Sequence, residues 1–413
     1  MPQSQPAPTQ PAGAHTVRRH NTGLVLGAIA EAGAASRAGV AARTGLTKAT
    51  VSSLVEAMIA AGLVAETGQE QRSGRGRRGT ELTLSPHGVH GLGIEIGVDY
   101  LATCLVDLTG EVRKRRIRGG DNRSRSVTSV LGRLAALTRT ALADAQALGV
   151  GVGGLGLAVP GLVEPAAGLL RTAPNLGWRE VDLDGELRAR LDLGARPLLL
   201  GNEANFAALA ELWAGHTTEE PDFICVSGEI GIGAGIVIGG GLFEGVRGFS
   251  GEIGHLALDP TGPRCSCGAH GCLEQLASVE SILRAVGLWS AGAVDHDSVE
   301  ALLERLRAGQ PDTLAAIAAA GRWLGIGLAG MVNVLDVPTV VLGGRYASLQ
   351  PWLAEPVAAE LAHRVLGASW HPVRVLASTV GPYAAVRGAA TAVVRAIRAD
   401  PAQFVAALAA GVA

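Results

Sequence analysis

A short stretch of the chain, residues 251–274, combines side chains that can bind a metal ion with side chains that can bind hydroxyl groups. Zinc prefers about four nitrogen or sulfur ligands arranged as a tetrahedron. The stretch offers one histidine and three cysteines, namely His255, Cys265, Cys267 and Cys272. Gly262, Gly268 and Gly271 would let so short a loop turn these four side chains inward. The pattern predicts a Zn2+ site, and the alternative is a set of ordinary thiols in a reducing compartment.

The length and composition of the chain indicate several globular domains. It has 413 residues, of which 48% are hydrophobic and 17% are charged, so we expect two or three domains with large cores. Residues 1–16 are rich in Pro, Gln and Ala, lack the pattern of a secretory signal, and are expected to be disordered. The longest apolar run, 148–163, contains Pro160 and is too short to span a bilayer. Cys104 and Cys225 lie in apolar runs, which suits reduced thiols, and we expect a cytoplasmic protein with no membrane contact.

Charge is distributed unevenly between the two ends of the chain. Residues 1–88 carry nine Lys/Arg and five Asp/Glu, whereas the remainder carries 26 and 32. An excess of positive charge in the first part indicates that this part contacts a polyanion.

The first part is typical of a winged helix-turn-helix. Helices are predicted over 21–32, from the cap residue Ser36, and from the cap residue Thr47. The third helix would bury Val51, Leu54, Val55 and Met58 at helical spacing. Its outward residues, together with the arginines of a following wing, are the predicted DNA contacts: Thr47, Lys48, Thr50, Ser52, Ser53, Arg75, Arg77 and Arg78. Small polar donors and one cation suit a major groove, and a flexible arginine tip suits phosphates or a minor groove. The alternative is a helical dimerisation module with a solvated basic loop.

The remainder of the chain predicts an α/β fold with two related lobes. Three strands that end near Ile117 are followed by a helix over 126–148 and a strand over 151–159, and a similar order begins again near Pro197. We predict a disordered tail at 1–16, a winged helix-turn-helix at 17–88, a first lobe at 89–200 and a second lobe at 201–385. A C-terminal helix, 386–413, would return toward the first lobe.

Six motifs occur in an order that resembles the repressor, open reading frame and kinase (ROK) family: GLAVPGLV, GNEAN, GIGAGIV, EIGH, CSCGAHGCLE and VVLGG. The resemblance covers most of residues 17–398 and implies a two-lobed actin-like, ribonuclease-H-like ATPase-type fold. The family includes sugar kinases and sugar-responsive repressors, and only the repressors carry an N-terminal winged helix. The resemblance therefore implies a repressor that binds double-stranded operator DNA as a homodimer or homotetramer.

The resemblance also implies the site residues. The sugar contacts of the family fall on Asn202, Glu203, Glu252, His255 and Glu274, and its zinc ligands fall on His255 and the three cysteines of the loop. Carboxylates and an amide are suited to the vicinal hydroxyls of a monosaccharide. One imidazole nitrogen of His255 could hold zinc while the other meets a sugar hydroxyl. Segments GIEIGVDY and APNLGW are similar to those of xylose-type repressors, so xylose is the first expected effector. For Asn202 the alternative role is a helix N-cap, and both roles are compatible.

Two departures from the kinase pattern argue against an enzyme. Glu203 stands where a kinase of the family has an Asp base, and one extra methylene displaces the carboxylate on the scale of about 1 Å that costs roughly a hundredfold in rate. Val98 and Glu229 occupy positions in the two phosphate loops where the kinases have small or hydroxyl residues. The rival hypotheses are a sugar kinase with a DNA-binding arm and a protein in which zinc is structural and no sugar binds.

Overall fold

The computed structural model describes residues 13–69, 80–215, 221–289 and 296–409. The predicted DNA contacts Arg75, Arg77 and Arg78 lie outside the described residues. The division into domains at residues 17, 89, 201 and 386 stays a prediction, and the architecture is described below by its sheets.

The N-terminal part contains three helices and a small sheet. Its elements are α1 (Ala14–Ala32), β1 (Ala35–Ser36), α2 (Arg37–Thr44), α3 (Lys48–Ala60), β2 (Val64–Gln69) and β3 (Thr80–Leu84). The Ser36 hydroxyl accepts the Gly39 N–H, Gly45 adopts a left-handed conformation, and the Thr47 hydroxyl accepts the Thr50 N–H, so the predicted caps and turn are present. α1 begins at Ala14, earlier than the predicted Asn21, and includes residues that were expected to be a disordered tail.

The early start of α1 has a tertiary cause. Its first turns pack against the C-terminal end of the chain, where Arg19 forms a two-pronged ion pair with Asp400, with Nε 3.0 Å from Oδ1. A partner more than 380 positions away cannot be read from local sequence.

The first lobe, lobe 1, is built on a five-stranded sheet. Its elements are β4 (Val89–Ile96), β5 (Tyr100–Asp107), β6 (Val112–Gly119), α4 (Val127–Ala147), β7 (Gly151–Val159), β8 (Leu162–Glu164), β9 (Leu169–Ala173), β10 (Trp178–Asp182), α5 (Leu183–Arg188) and β11 (Leu198–Asn202). The strand order is β11-β7-β4-β5-β6, in which β4, β5 and β6 are antiparallel neighbours and β7 and β11 run parallel to β4. β8, β9 and β10 form a separate antiparallel sheet.

The second lobe, lobe 2, has a sheet of the same topology. Its elements are α6 (Glu203–Ala214), β12 (Phe223–Gly228), β13 (Ile232–Ile238), β14 (Gly241–Leu242), α7 (Leu273–Ala277), α8 (Val279–Ala285), α9 (His296–Arg307), α10 (Pro311–Leu335), β15 (Thr339–Gly344), α11 (Tyr346–Arg364) and β16 (Arg374–Ala377). The order β14-β13-β12-β15-β16 matches that of lobe 1 strand for strand, with two antiparallel pairings and then two parallel ones. The predicted recurrence of one folding unit is therefore confirmed.

The chain ends in two helices where one was predicted, α12 (Ala384–Ala399) and α13 (Pro401–Ala409). Pro401 explains the break, because proline has no N–H to continue a helix and is well accommodated in the first turn of a new one. Helix α12 packs on β4 and β7 of lobe 1.

One helix among the described residues, α10, is long and apolar enough to cross a bilayer on length and composition alone. It packs along α11 and contributes Ile317, Leu324 and Leu328 to the core of lobe 2. Half of its most apolar window is buried in this way.

Candidate functional site

The loop between β14 and α7 brings the four predicted metal ligands together. His255 ends a single 3-10 turn that follows Glu252, and short β-bridges join Ala257 to Cys272 and Arg264 to His270. Gly271 has a φ of +58°, and a Cβ there would lie 1.6 Å from the Asp259 carbonyl oxygen, so only glycine fits. The bend that the sequence predicted is thus produced by close approach of backbone to backbone.

The four side chains form a compact donor set. One ligand atom from each of His255, Cys265, Cys267 and Cys272 lies within 4.8 Å of all the others. Cys265 Sγ is 3.7 Å from His255 Nδ1, and Cys267 Sγ is 3.6 Å from Cys272 Sγ. A tetrahedral ion with metal–sulfur bonds of about 2.3 Å requires edges of about 3.7 Å. The donor set therefore fits a tetrahedral metal ion with little rearrangement.

The three thiols differ in how readily they ionise. Burial raises the pKa of Cys265 and of Cys272, and both lie almost completely inside the protein. Burial opposes ionisation at Cys267 too, but the Ala269 N–H and the two neighbouring thiols donate to it, and together they lower its pKa. Metal ligands must be deprotonated, and the lowered pKa of Cys267 favours its thiolate.

The imidazole of His255 faces two different environments. Its Nδ1 is directed toward Cys265 and lies 3.8 Å from Glu274 Oε1, whereas its Nε2 lies 3.9 Å from Glu252 Oε2. Nδ1 is therefore the nitrogen available to a metal and Nε2 is the one available to a ligand beside Glu252. This is the division of roles that the residue types suggested.

All five predicted sugar residues line one cleft between the lobes. Its space is about 1010 Å³, including the part open to solvent. Lobe 1 contributes the loop after β4, the Pro160-Gly161 turn and Asn175, while lobe 2 contributes Glu203 at the start of α6, Glu252, His255 and Glu274. The strand ends and turns of two equivalent sheets thus enclose it.

Asn202 is the N-cap of α6 and retains limited capacity for a ligand. Its Oδ1 accepts the Ala204 N–H at 2.7 Å and the Asn205 N–H at 3.3 Å, and its Nδ2 donates to the Gly161 carbonyl at 3.0 Å. One N–H of the amide remains for a ligand. The cap role is therefore present, and it leaves room for the predicted binding role.

The cleft is strongly acidic and lacks any counterbalancing arginine or lysine among the described residues that line it. Burial, reinforced by neighbouring carboxylates, raises the pKa of Glu203 well above its usual value and raises that of Glu252. Burial also raises the pKa of Glu95 to about 7 and that of Glu229 to about 8. Oε2 of Glu203 is buried and has no hydrogen-bond partner, so the cleft contains an unpaired carboxyl oxygen with which a sugar hydroxyl could pair.

Several cleft residues were not identified from sequence. Asn175, in the APNLGW segment, bonds to Glu274 and to Ser266 of the metal loop. Tyr100 donates to Glu95 and contacts the ring of Tyr383 edge to face, with centroids 5.3 Å apart. Tyr383 has a left-handed conformation, with φ +67° and ψ +31°, which is uncommon for a bulky residue. The GIEIGVDY and APNLGW resemblances covered Tyr100 and Asn175, and no sequence signal pointed to Tyr383.

The predicted DNA contacts that the structure describes lie on one helix end and face. Thr47, Lys48 and Ser53 are exposed and Thr50 and Ser52 are half-buried. Thr47 also caps α3, and its hydroxyl lies 2.9 Å from that of Thr50. The opposite face of α3 is buried as predicted.

Comparison with known proteins relates both parts of the chain to regulators. A profile of the ROK family matches residues 91–396, and one of the MarR family matches residues 20–79. The xylose repressor of Bacillus subtilis (strain 168) is 31% identical over 378 residues, which cover 92% of this chain and 96% of that protein. A solved ROK family transcriptional regulator, a homologue of the E. coli MLC protein, matches with a TM-score of 0.73 and 26% identity over 94% of this chain and 100% of that one. A ROK family glucokinase from Streptomyces griseus, solved with glucose and AMPPNP, has a TM-score of 0.64 and 26% identity over 73% and 98% of the two chains.

Proposed function

This chain belongs to the ROK family, and on that premise we propose that it is a sugar-responsive, DNA-binding transcriptional repressor that a monosaccharide releases from its operator. One observation carries the proposal: an acidic cleft suited to a polyol and a helix suited to a major groove occur in one chain, and residues beside both belong to one buried core. Xylose is the first candidate effector, because the relative that is 31% identical over nearly the whole chain is a xylose repressor.

The cleft is suited to an uncharged ring of hydroxyls. Glu252 and Glu274 supply acceptors, Glu203 supplies an unpaired carboxyl oxygen, and Asn202 and His255 Nε2 complete the set. Hydrogen bonds from hydroxyls to carboxylates are directional, so opposed acceptors would discriminate between epimers. The absence of lysine and arginine from the described lining argues against a phosphorylated sugar.

The donor set beside the cleft fits zinc. His255 Nδ1 and the thiolates of Cys265, Cys267 and Cys272 would hold the ion, which would fix the loop and neutralise part of its negative charge. Because His255 and Glu274 contact both the metal ligands and the cleft, metal and sugar would depend on each other.

DNA recognition is assigned to α3 and the wing. The outward residues of α3 would read a major groove, and the arginines of the wing tip would contact phosphates or a minor groove. Operators read by such modules have two half-sites, so we propose a homodimer or homotetramer on double-stranded DNA, working in the cytoplasm.

Helix α12 connects the cleft to the DNA-binding part. The first residues of α12, Ala384 and Ala385, line the cleft, and the helix follows directly on the strained Tyr383. Further along, Val393 and Ile397 share a buried cluster with Leu26 of α1. A change at the cleft that shifts α12 would therefore move α1, and through it the spacing of the recognition helices.

We also propose that the cleft does not phosphorylate its sugar. A Cβ at Gly97 would lie 2.5 Å from the ring of Tyr100, and one at Gly228 would lie 1.9 Å from the ring of Tyr346. These glycines are needed for aromatic packing, so their presence is no evidence for phosphate binding. Once ionised, at a pH near 8 or above, Glu229 would repel a triphosphate. Transfer of phosphate from ATP to an aldose at an ordinary rate of about 1 per second or more would favour the kinase instead.

The test is a fluorescence-anisotropy titration of the protein against DNA from its own upstream region, at fixed salt, with and without xylose or glucose. We expect tight binding that one sugar weakens. Failure to bind specific DNA under any condition would contradict the proposal, and tightening by sugar would make the sugar a co-repressor.

A further inference from the structure

A side-chain amide of lobe 1 joins the lobes beside the metal loop. Asn175 lies in the turn between β9 and β10, in lobe 1. Its Nδ2 donates to Glu274 Oε2 at 3.2 Å, and its Oδ1 accepts the Ser266 hydroxyl at 2.9 Å. Both partners belong to lobe 2 and lie more than 90 residues away in sequence. Asn175 therefore links lobe 1 to the α7 end and to the cysteine turn at once.

The two bonds fix which way the amide faces. A carboxylate can only accept, so the NH2 group of Asn175 must face Glu274, and its oxygen then faces the hydroxyl of Ser266. Glu274 is 2% exposed, and its other oxygen accepts from the Cys265 thiol at 3.0 Å. Glu274 thus lies between Asn175 of lobe 1 and two predicted metal ligands, Cys265 and His255, whose Nδ1 is 3.8 Å from Glu274 Oε1.

A glycine in lobe 2 leaves space for this contact. A Cβ on Gly231 would lie 2.5 Å from Asn175 Nδ2 and 3.0 Å from Glu274 Oε2. Gly231 belongs to the glycine-rich turn whose sequence suggested a phosphate loop. Its lack of a side chain is accounted for by the amide and the carboxylate that meet beside it.

We propose that Asn175 is a positioning residue that clasps the metal loop to lobe 1, so that both metal retention and sugar affinity depend on it. It fixes Glu274, which faces the metal ligands on one side and the cleft on the other. The hydrogen bond from Ser266 fixes Asn175 to the metal loop at a second point, between the ligands Cys265 and Cys267. The sugar half of this inference rests on the proposed function, whereas the metal half does not.

The sharpest test is the isosteric change Asn175→Asp. It replaces the donor by a second carboxylate facing Glu274, at nearly unchanged volume. Loss of an outer contact of this kind costs metal sites about 10- to 100-fold in affinity. We expect the zinc-loaded variant to release metal to a chelator at least tenfold faster than the wild type, and xylose affinity in calorimetry to fall about as much.

The double variant Asn175→Asp with Glu274→Gln exchanges donor and acceptor and restores the bond. We expect slow metal release to return in it, whereas Glu274→Gln alone leaves the Asn175 amide a neutral and therefore weaker acceptor and releases metal faster than the wild type. Asn333→Asp, the same chemical change in an exposed contact at the end of α10, is the matched control and should retain wild-type rates.

The outcomes separate the role of Asn175 from the proposed function. If Asn175→Asp releases metal at the wild-type rate, or if the well-folded double variant does not return to slow release, the proposed role of Asn175 is wrong. If the wild type binds no sugar, the proposed function fails, and the metal-release measurements still decide the role of Asn175.

Discussion

His255 and Glu252 define the cleft at the scale of single residues. Nε2 of the imidazole and Oε2 of the carboxylate are 3.9 Å apart, a gap that a sugar hydroxyl could bridge by donating to one and accepting from the other. Glu252 is not among the predicted metal ligands, so it can be changed without removing a donor from the metal.

We expect Glu252→Gln to lose the sugar response while operator affinity in the absence of sugar stays at the wild-type value. The neutral amide accepts more weakly, and a hydrogen bond to a charged group is worth about 1.5–3 kcal/mol, or roughly 10- to 100-fold in affinity. Calorimetry with xylose and anisotropy with operator DNA measure the two quantities. Loss of DNA binding in a folded Glu252→Gln protein would contradict the separation of the two sites.

Glu229 gives a pH-dependent effect on stability. Burial raises its pKa to about 8, so the folded protein binds a proton there that the unfolded chain releases near pH 4.5. Such a group costs no stability below pH 4.5 and destabilises the fold increasingly as the pH rises toward 8.

Removing this carboxyl should therefore stabilise the protein above pH 4.5, and most strongly near pH 8. We expect Glu229→Gln to raise Tm at pH 8 by about 2–4 °C, the shift that roughly 1 kcal/mol produces, and to leave it unchanged at pH 4.5. Thermal unfolding at the two pH values measures it, with the exposed Glu355→Gln as the control. An equal shift at both pH values would point to packing rather than ionisation.

At the scale of elements, the metal loop and α3 are short segments whose conformation depends on a few contacts. The loop has almost no regular structure, and its shape depends on Gly271 against Asp259 and on the donor set itself. Helix α3 is held by one cap and one buried face.

Removing the metal should loosen the loop and weaken sugar binding. We expect Cys267→Ser, which changes the most exposed of the three thiols, to lower zinc content per chain below one, and chelation of the wild type to lower sugar affinity by at least tenfold. Metal analysis and calorimetry measure these. As the control, Cys104→Ala alters a buried thiol outside the loop and should retain zinc. If chelation leaves the sugar affinity unchanged, the metal has a separate structural role.

Lys48 at the start of α3 should contribute through phosphate or base contacts. We expect Lys48→Ala to weaken operator binding and to reduce the slope of log K against log salt by about one. Anisotropy at several salt concentrations measures the slope. As the control, Arg322→Ala removes an exposed cation of α10 and should leave the slope unchanged. If the slope is also unaltered in Lys48→Ala, α3 is not part of the DNA interface.

At the scale of the whole molecule, the two ends of the chain meet. Residues of α1, α3, β5 and α12 share one buried cluster, and Phe404 of α13 packs against it. The DNA-binding part is thus packed on the lobes and not merely tethered to them, so ligand and DNA can influence each other through α12.

Breaking the Arg19–Asp400 ion pair should weaken the coupling between sugar binding and DNA binding. We expect Arg19→Ala to keep nearly wild-type affinity for xylose alone and for DNA alone. The factor by which xylose weakens DNA binding should fall by about 1.5- to 5-fold, which is the range for an exposed ion pair. Anisotropy with and without sugar gives this factor. Arg188→Ala, which breaks another exposed arginine–aspartate pair, should not change it.

Local sequence determined much of this protein. Hydrophobic periodicity, cap residues and glycines act over a few positions, so α4 and β7 follow the predicted bounds to within one residue and the caps at Ser36 and Thr47 are present. The cluster of His255 with three cysteines was also evident, because its members lie within 18 consecutive residues of one loop.

Tertiary structure alone decided how distant segments meet. The start of α1 at Ala14, the contact of Asn175 with Glu274, the left-handed Tyr383 and the acidic surroundings of Glu95 and Glu229 depend on neighbours many positions away. The glycines of the supposed phosphate loops show the same limit. Sequence reveals that a side chain is missing there, but only the packed structure reveals which ring, amide or carboxylate occupies the space.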